Sequence, residues 1–366
     1  MSDDLRFRVA LTLIPKVGAV KARNLMSYCG SARAVFEASP KMLATVPGIG
    51  EQIVSHIRQP DLLDLADQEI AFMTENGIQP VFYLDKGYPK RLSHLPDAPP
   101  MLYYKGEASL NPERSVAIVG TRKPTPQGVR ACEEIVEGLQ AYGVTIISGL
   151  AYGIDVAAHR TALAMNIPTI GVVAHGLRHI YPPQHIHTAR EMMEAGGVLS
   201  EYPSPTPPDR ERFPMRNRII AGLCDALIVV ETQRKGGSMI SAQMANDYHK
   251  DVFAVPGRPK ERSTEGCNLL IKSHRASLIE QARDLAYVMQ WEEKKPGHGI
   301  QQALFPDLSP EEDAVVQLLK EKENRSIDEL VHQLQRSPQK MAADLLELEF
   351  KGLIKSLPGK RYTLLA

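Results

Sequence analysis

Phe213, Arg216, Asn217 and Arg218 stand close together in "FPMRNRII". Arginine carries a planar, permanently charged fork of N–H donors that matches phosphate or carboxylate, and an aromatic ring gives a flat ligand a face to stack on. The proline-rich stretch before this segment cannot be helical, so a helix is expected to begin at the arginines. That places Arg216 and Arg218 in its first turn and Phe213 just outside it. A helix start already carries free N–H groups and partial positive charge, so two more cations there need an anion to offset them. Glu201 and Glu231, each closing an apolar run, are one source; they would pair with the arginines without any ligand. A phosphate is the other. Arg122 in "GTRKPTPQG" and Lys235 beside Gly236 and Gly237 in "ETQRKGGSMISA" add more cations than two glutamates would balance, and so favour the phosphate. Beside such a hollow Phe213 is placed to stack a base, its ordinary alternative being a hydrophobic staple onto its own helix. An extended nucleic-acid strand presents both phosphates and unstacked bases.

The elements that must position these residues are read from hydrophobic patterning. Between Ser115 and Met289 short β-branched runs alternate with longer amphipathic stretches: "SVAIVG", "VTIISG", "PTIGVVA", "GVLSEY", "ALIVVE", "DVFAVPG" and "ASLI". Runs apolar on both faces, each followed by a loop and a helix-period segment, predict a parallel sheet in βαβ units with helices on both sides. Ligands of such sheets bind beyond the carboxyl ends of the strands, where the candidate residues fall. Residues 1–65 read as short helices, with "VPGIG" resembling the turn of a helix-hairpin-helix and "IPKVGAVKARNLM" an imperfect repeat carrying Ala19 in place of the second glycine. The Pro/Tyr-rich lead-in to the sheet has no clear period. Residues 77–291 form the sheet domain, 292–309 a linker mixing charge, Gly and Pro, and 310–366 three helical patterns and a hairpin, in the order of a winged helix-turn-helix. In that last piece "SPQKMAADLLELEFKGLI" would be the recognition helix; its Asp344, Glu347 and Glu349 favour a protein contact at least as much as DNA.

Several chemistries are disfavoured. The loop after "SVAIVG" is not G-x-G-x-x-G, so no nicotinamide or flavin cofactor is expected, and no stretch matches G-x-x-x-x-G-K-[ST]. Ser148 lacks a nucleophile elbow. Asp155 and His159, four apart, have no third ligand in view and are expected to be a hydrogen-bonded structural pair; no metal is expected. Lys+Arg and Asp+Glu balance at 43 each, so any anion site must be local. Four dispersed cysteines, no signal-like N-terminus and no membrane-length apolar segment lead to the expectation of a cytoplasmic protein without membrane association.

In combination and order, "AIVGTR", "SGLAYGIDVAAH", "TIGVVAHGL", "YPP", "LSEYP", "FPMRNRIIAGL", "IVVE", "KGGSMISA" and "VFAVPG" resemble the bacterial DNA-processing protein A (DprA/Smf) family, over about residues 78–279. The resemblance implies an α/β fold with an extended Rossmann-like sheet, an N-terminal sterile-alpha-motif-like helical domain and a C-terminal winged helix. It also implies a non-enzymatic, cofactor-free, homodimeric protein that binds single-stranded DNA and helps load the RecA recombinase during natural transformation. Carried over by motif, Arg122, Phe213, Arg216, Asn217, Arg218, Lys235, Gly237 and Ser238 would clamp the strand. Two departures stand out: Gly236 where the family tends to have serine, and Arg275 where it tends to have glycine, close to the family's dimer and RecA surfaces. A Rossmann-type phosphoribohydrolase on nucleotides is the alternative enzyme, although "KGGSMISAQ" lacks the acid its motif needs. A ligand-sensing transcriptional regulator reading duplex DNA through the winged helix is a third possibility.

Overall fold

A computed structural model describes residues 3–293, 309–321, 324–351, 353–357 and 359–364 of the chain. The seven apolar runs form seven strands: β3 (Ser115–Gly120), β4 (Thr145–Ser148), β5 (Thr169–Val173), β6 (Gly197–Ser200), β7 (Ala226–Val230), β8 (Asp251–Ala254) and β9 (Ser277–Leu278). All pair in parallel, and the lead-in that lacked a period adds two antiparallel strands at one edge, β1 (Gln79–Phe82) and β2 (Met101–Gly106). The order is β1-β2-β6-β5-β4-β3-β7-β8-β9. Strand residues alternate between two cores, as a pleat requires. Ala117, Val119, Leu227 and Val229 pack with the helices Arg212–Leu223 and Gly237–Asp247. Val116, Ile118, Ile228 and Val230 pack with Pro126–Leu139 and Ile154–Ala164. Each such side chain, fully removed from water, contributes about 1.5–3 kcal/mol. The chain winds outward from β3 in one direction and, after β6, returns to build β7 on the other side of β3. The carboxyl ends of β3 and β7 therefore flank a topological switch point.

The N-terminal helices are continuous with this sheet. Leu11, Leu25, Leu43 and Ile53 share one core with Phe82, Met101 and Tyr103 of the two antiparallel strands. Buried Glu69, on helix Leu62–Glu75, accepts hydrogen bonds from Ser204 N (2.8 Å) and Ser204 Oγ (2.6 Å) in the loop after β6. In the helix-hairpin-helix repeat the counterpart of the second glycine is Gly18 and not Ala19. Gly18 and Gly50 both precede their helices in the same extended conformation (φ −91° and −94°). The position that differs is the earlier one, where Gly48 (φ 80°) is matched by Lys16, a non-glycine in left-handed conformation (φ 65°).

The described residues from 309 on form a separate unit. Helices Pro310–Glu321, Ile327–Leu334 and Pro338–Phe350 pack on a three-stranded sheet of β10 (Arg325–Ser326), β11 (Ile354–Leu357) and β12 (Arg361–Leu364). Most of the expected 292–309 linker lies outside the described residues. No helix among the described residues is long and apolar enough to cross a membrane.

The helix expected to begin at Arg216 begins at Arg212, with Phe213 inside it. Pro214 is tolerated because the first-turn N–H groups have no intrahelical acceptor, so a missing one costs nothing. Arg216 and Arg218 thus sit in the second turn. Two residues apart on a helix, they point about 200° from one another. Arg218 turns away from Arg216 and forms a buried ion pair with Glu201, at the end of β6, with Asp97 Oδ2 4.0 Å away. The carboxylate pairing considered from sequence is thus found for Arg218. Glu231 makes no such pair: its Oε2 accepts from Thr125 N (2.9 Å) at the start of the distant helix Pro126–Leu139.

Two stability outcomes are expected. Arg218→Ala leaves Glu201 buried without its cation and should lower unfolding free energy by about 3–5 kcal/mol in denaturant titration. Lys16→Gly relieves a left-handed side-chain residue at the cost of backbone entropy, and should raise stability by about 1 kcal/mol or less in the same measurement.

Candidate nucleic-acid interface

The carboxyl ends of β3 and β7 open onto a pocket of about 880 Å³, near the upper end of the range for ligand sites. Three segments supply most of its walls. The loop after β3 brings Thr121, Arg122 and Lys123; the helix Arg212–Leu223 brings Phe213, Arg216 and Asn217; the loop after β7 brings Thr232, Gly236, Gly237 and Ser238. Arg122, Lys123, Arg210 and Arg216 are its cations, and Asp155 is its one carboxylate.

Arg216 forms the floor. It is 3% exposed, donates through Nη1 to the carbonyl oxygens of Gly149 (2.6 Å) and Val172, and through Nε to Asn217 Oδ1 (3.2 Å). The guanidinium thus spans the ends of β4 and β5. A side chain at Gly149 would collide with both Arg216 Nη1 and Asp155 Oδ2 at 2.5 Å, so glycine is what lets the two charges approach from either side. Burial draws the Arg216 pKa down to about 10, with Asp155 opposing the shift and Arg122 reinforcing it. At neutral pH it stays charged. Burial likewise raises Asp155, while Arg216 and the backbone N–H groups of Ala151 and Gly149 pull it back. Asp155 and His159 do not bond one another as expected: His159 Nδ1 is 2.7 Å from Thr169 Oγ1, and burial pushes the His159 pKa down to about 3. Among the described residues no His/Cys/Asp/Glu group has the makings of a metal site.

Arg122 lies at the mouth, exposed and without a carboxylate within ion-pair distance, its guanidinium 5.1 Å from the centroid of the Phe213 ring. Phe213 is also 6.0 Å from the Arg216 guanidinium and 6.1 Å from the Tyr181 ring. It is therefore no staple on its own helix but the centre of a cationic and aromatic cluster. On the far wall the helix Gly237–Asp247 starts at the pocket, and a Cβ at Gly237 would meet nothing within 4 Å. Its first-turn N–H groups lack intrahelical acceptors and add an anion-binding edge. Ser238 Oγ donates to Thr232 Oγ1 (2.7 Å), holding that edge in place.

Of the residues singled out in the sequence, Arg122, Phe213, Arg216, Asn217, Gly237 and Ser238 come together here. Arg218 does not, for the helical reason given above. Lys235 is exposed on the loop before the helix Gly237–Asp247 and does not line the pocket; Gly236 and Gly237 take that place. Lys123, Arg210 and Tyr181 were missed, and Asp155, read from the sequence as a partner of His159, lines the pocket instead. Lys123 adjoins Arg122 and was open to inspection, whereas Arg210 and Tyr181 reach the site only through the course of long loops.

The similarity of known proteins follows the same outline. Residues 79–290, more than half of the chain, match the family model of DNA recombination-mediator protein A. Residues 301–360 match the DprA winged helix domain, and 7–60 a SAM-like helix-hairpin-helix tandem. Protein Smf of Synechocystis sp. is 33% identical over 397 residues, covering 99% of both chains. DNA processing protein DprA of Streptococcus pneumoniae is 40% identical over 202 residues, 55% of this chain and 71% of the relative. An X-ray structure of that S. pneumoniae protein superposes with a TM-score of 0.64 at 30% identity, covering 79% of this chain and 99% of the other. DNA processing protein A of Helicobacter pylori, whose structure concerns its single-stranded DNA binding mode, gives 0.54 at 31% identity, covering 59% and 97%. With its sheet, its terminal domains and its full-length relative all in agreement, the chain belongs to the DNA recombination-mediator protein A family.

Proposed function

We propose that this protein binds single-stranded DNA across the pocket at the switch point, as a recombination mediator that performs no chemistry on the strand. The observation that carries the reading is the exposed, unpaired Arg122 against Phe213 above the buried charge of Arg216. Four cations against one carboxylate suit a polyanion, and the ring suits an unstacked base. Backbone N–H groups at Gly237 take any phosphate without reading sequence. The single carboxylate, Asp155, is buried and engaged by backbone N–H groups, which supports binding over a phosphoribohydrolase. Asn217 and Ser238 then orient the Arg216 fork and the helix edge. Transfer of the strand to a RecA-type recombinase and action as a homodimer complete the reading, supported by family membership. A further support is the apolar surface where the sheet ends: Leu278 on edge strand β9, and Tyr287 (85% exposed) and Val288 on the next helix.

Arg122→Ala is expected to weaken binding of single strands of any sequence at unchanged stability, and to flatten the slope of log affinity against log salt by about 0.7. Arg216→Ala should weaken binding and also cost about 1–3 kcal/mol of stability, because two buried carbonyls lose their donor. Fluorescence anisotropy with labelled oligothymidylate over a salt series reads both; unchanged affinity and slope in both variants would place the DNA elsewhere. Release of free base from nucleoside monophosphates, abolished by Asp155→Asn, would replace the reading with an enzyme. In sedimentation, Tyr287→Glu should shift a dimer towards monomer; a wild-type monomer at tens of micromolar would remove the dimer from the proposal.

A further inference from the structure

Beyond the main pocket, a narrow cleft of about 40 Å³ shares Arg122, Ala151, Tyr181 and Phe213 with it and adds Tyr152 and Pro182. One water occupies about 30 Å³ in the liquid, so no base enters this cleft. Its lips are another matter. Tyr181 and Tyr152 are 41% and 40% exposed, and neither belongs to a hydrophobic core of the described residues. Tyr181 continues from Phe213 at 6.1 Å between ring centroids. Tyr152 is braced from behind: its ring meets His185 edge-on at 5.1 Å, and its hydroxyl donates to Gln184 Oε1 at 2.7 Å. A solvent-facing ring held as Tyr152 is loses little freedom on stacking.

From this geometry we infer that Phe213, Tyr181 and Tyr152 form a stacking shelf that carries the bases of the DNA strand out of the pocket and over the loops after β4 and β5. The inference rests on the single-strand reading above and gives the strand a direction across the protein. The phosphates stay with Arg122 and the pocket, while the shelf contacts only base faces. It therefore contributes affinity without sequence preference and without added salt dependence.

The test uses the full chain with oligothymidylates from about 4 to 16 nucleotides, the range of sites on single-strand binding folds. Tyr152→Ala and Tyr181→Ala are each expected to weaken binding of the longer oligonucleotides by about five-fold or more, and to leave the shortest that binds and the salt slope unchanged. Tyr152→Phe and Tyr181→Trp keep a ring and should restore affinity, which a role for the hydroxyls would not allow. If both alanine variants bind every length like wild type while Arg122→Ala is weakened, the shelf is overturned and the pocket reading stands. Failure of the intact chain to bind any single strand overturns both.

Discussion

A positive charge buried at the carboxyl end of a parallel sheet is the constraint around which this site is organised. Arg216 cannot be left bare in that environment, since an unsolvated guanidinium costs several kcal/mol. Its neighbours meet the need with two strand-end carbonyls, an amide oxygen and a nearby carboxylate. The two carbonyls belong to β5 and to the loop that follows β4, so charging the pocket floor and joining these strand ends are one act. Gly149 is small because the two charges press on it from either side.

The same arrangement separates two kinds of cation that look alike on paper. Arg216 is anchored and supplies a fixed field, whereas Arg122 is exposed and free to meet a ligand. Arg218, two residues from the first, is a tie between the helix and β6. In the proposed binding, the fixed field costs no reorganisation when an anion arrives, and the exposed cation contributes the encounter. The N-terminal helices join the sheet through a common core, and Glu69 ties them to the loop that leads into Arg212–Leu223.

Much of this architecture is legible in the chain. Parallel strands buried on both faces leave continuous β-branched runs, and all seven are read correctly because nothing but a doubly covered sheet needs them. The two antiparallel strands are not legible, since "QPVF" and "MLYYKG" pack against helices far away in sequence and carry no period of their own. The start of the arginine-bearing helix is misread because proline was taken as a barrier, although the first turn needs none of its N–H groups. The start lies four residues earlier than expected, and grouping Arg218 with Arg216 overlooked that residues two apart on a helix point about 200° from one another.

Residue types and local spacing alone determined that cations, glycines and an aromatic gather on loops at the ends of parallel strands, because those features follow from neighbours along the chain. Only the tertiary structure decided which charges are spent inside the protein and which face outward. Glu201 reaches Arg218, Glu231 caps a distant helix instead, and Tyr181 arrives beside Phe213, all through contacts between segments far apart in sequence. Charge pairing depends on distances of a few ångströms in space, and no linear spacing encodes them.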